Sequence, residues 1–289
     1  MTSRRARTSV LIRSTRLLWA VLLAAPAAGA TGERPFDAES PQTLPAGSVE
    51  LEVAATGALD TARVLFPEDA GDQIVLPVVG VRAGLGDRGE VRVEGDVWQR
   101  FEGDGTASGP GDWTVATKIR LGSAQSRVGF AGIARMKIPV ASDADGLGTN
   151  LADVDFTAVA GIHPGPVDVD ANLGVAILGA PFRERAQIDL LTYALCVRGE
   201  MRPGLAAGME IAGREGGDFF ATRSVARAGV RWERRRMRWD AAIGFGLAAG
   251  SPGFELRAGA TFLLGRPEAP AAAASLPASG GWTGSGNGP

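Results

Sequence analysis

Residues 167–178 read Val167-Asp-Val-Asp-Ala-Asn-Leu-Gly-Val-Ala-Ile-Leu178. Val167, Val169, Ala171, Leu173, Val175 and Ile177 share one parity. Asp168, Asp170, Asn172, Gly174 and Ala176 share the other. Successive side chains of a strand point to opposite faces. The stretch therefore predicts a strand with one aliphatic face and one face of carboxylates, amide and glycine.

The same alternation recurs along the chain. Val91, Val93, Gly95 and Val97 alternate with Glu90, Arg92, Glu94 and Asp96. Trp113, Val115, Thr117, Ile119 and Leu121 alternate with Thr114, Ala116, Lys118 and Arg120. About twelve such segments are readable: 48–58, 73–85, 89–101, 112–121, 127–139, 151–163, 166–178, 187–198, 204–213, 223–233, 237–247 and 254–264. Strands of soluble proteins run to about 5–6 residues. A tilted membrane strand needs about 9–11, and these segments match the longer figure.

The connections alternate in length. Those at 85–88, 122–126, 164–165, 199–203 and 234–236 are short. Those at 59–72, 102–111, 140–150, 179–186, 214–222 and 248–253 are mostly longer. Short turns on one side and longer loops on the other are the connectivity of an outer-membrane barrel. A soluble sandwich has no reason to sort its loops this way. The fold expected is all-β: a closed antiparallel up-and-down transmembrane β-barrel of about twelve strands over 48–264. In such a barrel the aliphatic parity meets lipid and the polar parity lines the lumen. Trp232 and Trp239 flank a short turn on the apolar parity, and Phe101 and Trp113 flank a long loop. These four are the expected aromatic girdle. Tyr193 is the only tyrosine, so the girdle is thin.

The flanks differ from the barrel. Residues 1–30 carry Arg4, Arg5, Arg7, Arg13 and Arg16, then the apolar run 17–25, then Ala28-Gly29-Ala30. This is the pattern of a secretory signal peptide cleaved after Ala30. Its removal leaves 25 basic and 32 acidic residues, a net charge of −7, and nothing suggests nucleic acid as a partner. Residues 31–47 read as an extended periplasmic N-terminal segment. Residues 265–289, rich in Ala, Pro, Gly and Ser, read as a low-complexity disordered tail. The chain has one cysteine, Cys196, which excludes an internal disulfide, and one histidine, His163. Of its 41 glycines, 16 fall inside the alternating segments, where glycine marks a bend or a close backbone approach.

Several stretches resemble one known family. They are Phe36-Asp-Ala-Glu-Ser-Pro41 with Thr43-Leu-Pro-Ala-Gly47, Val81-Arg-Ala-Gly-Leu-Gly-Asp-Arg-Gly-Glu-Val-Arg-Val93, Lys137-Ile-Pro139, Gly146-Leu-Gly-Thr149 with the acidic strand after it, and the hairpin 244–264. Together they resemble the transporter-like outer-membrane family known as "putative MetA-pathway of phenol degradation". The resemblance covers most of 36–264. It implies an outer-membrane barrel for passage of small, often aromatic, organic compounds, and it carries no catalytic residues to transfer. The tail beyond the last strand departs from barrels that end on a terminal aromatic residue.

Three motifs have plainer readings. Gly84-Leu-Gly-Asp-Arg-Gly89 spells a dinucleotide fingerprint, but a strand follows it where a helix would be needed, so it reads as a turn. Ser142-Asp-Ala-Asp-Gly146 lacks the later ligands of a calcium loop and reads as a polar external loop. His163-Pro-Gly-Pro166 fills a periplasmic turn, with no nucleophile beside it. Cys196 reads as a small lipid-facing or packing residue. No cofactor, metal or catalytic residue is expected. A barrel-embedded lipid hydrolase and a non-conducting structural barrel are the alternatives to a channel.

The lumen charges carry the candidate function. Lys118, Arg120, Arg135 and Lys137 project inward beside Asp153, Asp155, Asp168 and Asp170. Arg92, Glu94, Asp96, Arg238 and Asp240 extend the ring, as do Glu210, Arg227, Arg231, Glu255 and Arg257. Trp98, inward by parity, stands near the outer end. These residues either line a polar pathway with a transverse field or pair with one another and fill the lumen. The expected partners are outer-membrane lipid, a small-molecule solute and the barrel-assembly machinery.

Overall fold

The computed structural model describes residues 33–63, 65, 69–163, 165–181, 186–216 and 222–264. The expected signal peptide at 1–30 and tail at 265–289 lie outside the described residues.

Fourteen strand segments run in sequence: β1 (Val49–Ala62), β2 (Ala70–Leu85), β3 (Gly89–Asp96), β4 (Gln99–Glu102), β5 (Thr106–Gly109), β6 (Trp113–Leu121), β7 (Val128–Ile138), β8 (Asp153–Ile162), β9 (Val167–Gly179), β10 (Gln187–Arg202), β11 (Leu205–Glu215), β12 (Arg223–Arg234), β13 (Met237–Gly246) and β14 (Phe254–Leu263). β3 and β4 pair with successive stretches of β2, and so form one stave. β5 and β6 form the next, pairing with β4 and β3. Every neighbouring pair is antiparallel, and β1 pairs with both β14 and β2. The result is a closed barrel of twelve staves. Closure pairs both sides of the long staves, a condition of standing in lipid, and leaves a free edge only on the short β5 at the long-loop end.

The distribution of side chains fixes which face meets which medium. Val81, Val93, Ile119, Phe130, Phe156, Leu173, Leu195, Met209, Ile211, Val230 and Phe245 are exposed on the outside. Glu52, Arg82, Glu90, Arg92, Lys118, Asp170, Glu210, Arg227 and Glu255 are buried inside. A protein bathed in water has the opposite arrangement. The opening strand is typical: Asp170 and Asn172 are buried while Leu173 is 58% exposed.

All the short connections lie at one end, together with Ser48 and Leu264, and the longer ones lie at the other. At the short-turn end, Pro203-Gly204 joins β10 to β11 with Gly204 at φ +77°, a conformation glycine adopts without strain. The 84–89 motif is a turn as expected, with Gly86 at φ +56°.

Two expectations are corrected at the long-loop end. The stretch 102–111 is not an open loop: β4 and β5 extend the barrel wall as a hairpin. Phe101 does not join an outward girdle. It is 3% exposed and packs with Ala107, Ala141 and Leu147 beneath the folded 139–152 loop. The cause is an irregularity. Asp96 pairs with Val78 and Gln99 with Val75, so Leu76-Pro77 and Val97-Trp98 interrupt both strands at one level. The parity reverses there, as bulges do. Gln99 and Phe101 then face inward, and Trp98 sits half-buried at the break itself. Trp113, packed over Gly95, and Trp232, paired across from Trp239, stand on the apolar face near opposite ends.

Candidate functional site

The lumen holds the N-terminal segment. Residues 33–47 do not extend away from the barrel as a lead-in. They enter at the short-turn end, rise to mid-barrel at residues 37–39, and return to Ser48 where β1 begins. Each step is set by a contact to a different stave. Arg34 makes a two-pronged pair with Asp240 of β13, at 2.7 and 3.1 Å. Glu33 accepts from Arg198 of β10 at 2.6 Å. Asp37 pairs with Arg227 of β12 at 2.8 Å and Arg257 of β14 at 2.6 Å. The Ala38 N–H donates to Glu210 of β11 at 2.6 Å. Asn172 of β9 accepts from the Glu39 N–H and donates to the Glu39 carbonyl. Partners on this many staves can be reached only from inside the barrel.

Glu39 is the hub. It is 1% exposed and takes Arg92 at 2.8 Å, Lys118 at 2.9 Å and Arg135 at 3.2 Å. Burial alone would raise its pKa. Arg92, Lys118 and Arg135 outweigh that and hold the carboxyl well below its usual range. An ionised carboxylate is thus kept in the middle of the barrel by three cations that would otherwise repel one another.

Apolar contacts and glycine complete the fit. Phe36 packs with Ala38 against Ala194, Cys196 and Ala212. Cys196 is therefore an inward packing residue, 1% exposed, and its lipid-facing alternative is excluded. Inward glycines make room for the segment. A Cβ at Gly129 or Gly161 would stand 2.7 or 2.6 Å from the Pro41 ring, and one at Gly229 would stand 2.9 Å from Pro35. At Gly84 a Cβ would meet the backbone carbonyls of Leu44 and Pro45. Six glycines of the alternating segments, at 84, 129, 161, 208, 229 and 259, are close approaches to this segment.

The charges expected from parity are placed as follows. Arg92, Lys118 and Arg135 converge on Glu39. Arg135 also reaches Asp155 at 2.8 Å, and Lys137 reaches Asp153 at 2.5 Å. The basic and acidic sectors therefore pair where they adjoin. Arg120 donates to the carbonyls of Asp87 and Gly122 at the short-turn rim. Asp170 pairs with Arg198, and Arg238 with Glu50 at 3.3 Å. Asp168 meets His163 Nδ1 at 2.8 Å, and His163 Nε2 has no partner among the described residues. Glu94 is buried, and neither carboxylate oxygen has a hydrogen-bond partner among the described residues. Asp96 is half-buried beside Gly111.

Arg34, Asp37 and Glu39 were not foreseen, because their segment has no periodicity to place it. Arg82 and Arg198 were also missed, although they sit on the inward parity of β2 and β10 and that signal could have found them. The 142–146 stretch folds as a turn, with the Gly146 N–H donating to the Asp143 carbonyl at 2.9 Å. Among the described residues no group of three or more His, Cys, Asp or Glu side chains is placed to hold a metal ion.

Two cavities flank the segment. One of about 340 Å³ lies on the long-loop side, between Asp37, Arg135, Arg214 and Arg223. One of about 260 Å³ lies at the short-turn end, beside Asp168, Arg198 and Arg231.

A closed antiparallel barrel with a lipid-type exterior, a charged lumen and a segment lodged across it defines an outer-membrane barrel of the channel or transporter class. The chain belongs to the family described as "Putative MetA-pathway of phenol degradation", whose model matches residues 32–264. Among solved structures it is similar to a COG4313 outer membrane channel from Pseudomonas putida F1, with 18% identity and a TM-score of 0.61, over 77% of this chain and 97% of that one. It is less similar to the KdgM porin, with 6% identity and a TM-score of 0.48, over 74% and 98% of the two chains. The translocator domain of the autotransporter NalP from Neisseria meningitidis also scores 0.48, with 12% identity, over 89% and 97%. The first likeness supports the fold. A search of curated protein sequences gave no match. The family is a transporter-like outer-membrane one.

Proposed function

We propose that the protein is a narrow outer-membrane channel for small organic molecules, constricted by its own N-terminal segment. The observation that carries this reading is the position of residues 33–45 in the lumen, with one cavity lined by Asp37 and a second lined by Arg198 and Arg231, the partners of Glu33. A solute passing through must skirt or displace the segment. The inward residues Arg92, Glu94, Asp96, Lys118, Arg120, Arg135, Lys137, Asp153, Asp155, Asp168, Asp170, Arg238 and Asp240, with Trp98 at the strand break, line that route. Several of them act through the segment, since Glu39 and Arg34 occupy their charges. Trp113, Trp232 and Trp239 serve as interfacial anchors. A polypeptide of this form enters the membrane through the barrel-assembly machinery, after removal of the signal at 1–30. The aromatic character of the solute rests on the family description alone.

Single-channel recording in a planar lipid bilayer tests the reading. The mature protein gives small discrete steps. A variant lacking residues 33–42 gives steps several-fold larger. Absence of steps from both would overturn the channel reading. It would favour a non-conducting barrel stiffened by the ion pairs that cross its lumen.

A further inference from the structure

The short turns are unevenly charged. Arg88, Arg127, Arg202, Arg234, Arg235 and Arg236 stand exposed on them, against Asp87, Glu200 and Glu233. The excess is concentrated between β12 and β13, where the chain reads Glu233-Arg-Arg-Arg236. The neighbouring turn adds Arg202, because the two turns touch: the Glu233 N–H donates to the Gly204 carbonyl at 2.7 Å. Among the described residues none of Arg202, Arg234, Arg235 and Arg236 forms an ion pair. The nearby acids are engaged or turned away. Glu200 accepts from the Gly204 N–H at 3.2 Å, and Glu233 lies opposite Arg238 on the inward parity. The chain on either side of the barrel offers little more: residues 31–32 are Thr and Gly, and residues 265–289 hold one acid, Glu268, against Arg266.

The outer wall beside this turn is apolar and grooved. Trp232 and Arg234 share the outward parity of β12, and Met201 and Trp232 are exposed next to the arginines. Further along the same staves an outward groove of about 700 Å³ opens, floored by Ala207, Ala228 and Ala241 and walled by Val197, Met209 and Ile243. Val230, at its near edge, is four residues from Arg234, about 13 Å along a strand. The headgroup layer of a bilayer is about 5–8 Å deep on each side. A molecule that spans from the arginines to the groove therefore crosses from the headgroup layer into hydrocarbon.

Charge and shape together select the occupant. Guanidinium forks hold phosphate by paired charge-assisted hydrogen bonds, and clustered arginines at a membrane surface attract anionic lipid. The short turns of an outer-membrane barrel face the periplasm. We propose that this face binds an anionic phospholipid of the periplasmic leaflet, its phosphate on Arg202, Arg234, Arg235 and Arg236 and an acyl chain in the groove. Trp232 stands between the two, at the interfacial level that tryptophan favours. The site is independent of whether the lumen conducts.

Quenching of tryptophan fluorescence by brominated lipid tests the site, with the mature protein refolded into phosphatidylcholine vesicles. Dibrominated phosphatidylglycerol is compared with dibrominated phosphatidylcholine at equal mole fraction. A Trp113→Phe background leaves Trp232 and Trp239 as the reporters on the apolar face. Phosphatidylglycerol occupies the site at least threefold more favourably than phosphatidylcholine. Arg234→Gln/Arg235→Asn/Arg236→Gln brings that ratio to about one. Asparagine is chosen at 235 because Arg235 has φ +59°, a conformation asparagine accepts. Ala228→Leu, which fills the groove and leaves the arginines in place, lowers the ratio at least twofold. Heat-dependent gel mobility verifies that each variant is folded. Should the triple variant not fold, Arg202→Gln/Arg234→Gln, which leaves the turn tip intact, takes its place. A ratio near one in the parent, or an unchanged ratio in either folded variant, overturns the proposal. A parent ratio near one together with arginine-dependent binding of polyglutamate would give the turn to an acidic protein instead.

Discussion

Arg34 and Asp240 stand 206 residues apart in sequence, yet they form a two-pronged ion pair in which neither side chain is exposed. The pair fastens the ascending arm of the N-terminal segment to the barrel wall. Removing one partner of a buried pair leaves the other charge uncompensated, at a cost of about 3–5 kcal/mol. The barrel can avoid that cost by releasing the segment and letting water reach Asp240. Arg34→Ala is therefore expected to undock the segment without unfolding the barrel. Cys196 reports the event, because it is the only cysteine and lies buried beneath Phe36. Maleimide labelling of Cys196 in the refolded protein should be slow in the parent and at least tenfold faster in Arg34→Ala. Equal rates would mean that the pair does not hold the segment.

Glu39 gives the lumen a response to acid. Its pKa is raised by burial and lowered further by Arg92, Lys118 and Arg135, and it ends below the unfolded value. A carboxylate with a depressed folded pKa stabilises docking above the unfolded pKa, about 4.3, and loses that contribution as pH falls through the folded value. Docking should thus be constant from neutral pH down to the ordinary carboxylate range and weaken below it. Single-channel current noise should rise in that acid window for the parent. Glu39→Gln leaves three cations without their counter-charge. It should be noisy already at neutral pH, shift reversal potentials toward anion selectivity, and lose the acid transition. An unchanged acid transition in Glu39→Gln would assign it to another group.

The outward reading of the opening strand has its own test. Leu173 lies near the middle of β9 and is 58% exposed, with buried Asn172 beside it in sequence. An arginine on the lipid face near the bilayer midplane costs about 2–4 kcal/mol. Leu173→Arg should lower stability by that amount in urea titrations of barrel refolded into lipid vesicles, and Leu173→Ala by much less. Indifference to arginine at 173 would place that face in water.

The strands were legible because each is a local pattern. Val167 to Leu178 states its two faces within a dozen residues, and segments such as 89–101 and 223–233 begin and end within two residues of the observed staves. The parity argument failed only where the pattern restarts. No residue type between Val97 and Gln99 announces that Phe101 will turn inward, because the cause includes Leu76-Pro77 on the neighbouring strand. The site was half legible. Arg92, Lys118 and Arg135 were visible as inward cations, but their common partner was not. Glu39 meets them over separations of 53, 79 and 96 residues, and a segment without periodicity gives no sign of its destination. The one local clue was glycine on the inward parity at 84, 129, 161 and 259, where a charged lumen alone has no need of it.

That clue yields the last prediction. Gly129 and Gly161 are cross-strand neighbours on β7 and β8, and both face the Pro41 ring on the descending arm. A Cβ at either would stand under 3.0 Å from ring carbons, and a proline ring cannot rotate aside as a long side chain can. Both positions lie in extended strand, where valine is a favoured residue. A Cβ at Gly161 would also meet Asp170 Oδ1 of the wall, whereas one at Gly129 meets only Pro41 and Gln42, so Gly129→Val should leave the barrel as stable as the parent, or slightly more so, while expelling residues 40–42. The separation of effects is the test. Urea midpoints should hold within error, while Cys196 labelling and single-channel conductance both rise. Pro41→Gly in the same chain should restore slow labelling by removing the ring that valine displaces. A fall in barrel stability with no change at Cys196 would mean that Gly129 serves the strand rather than the segment.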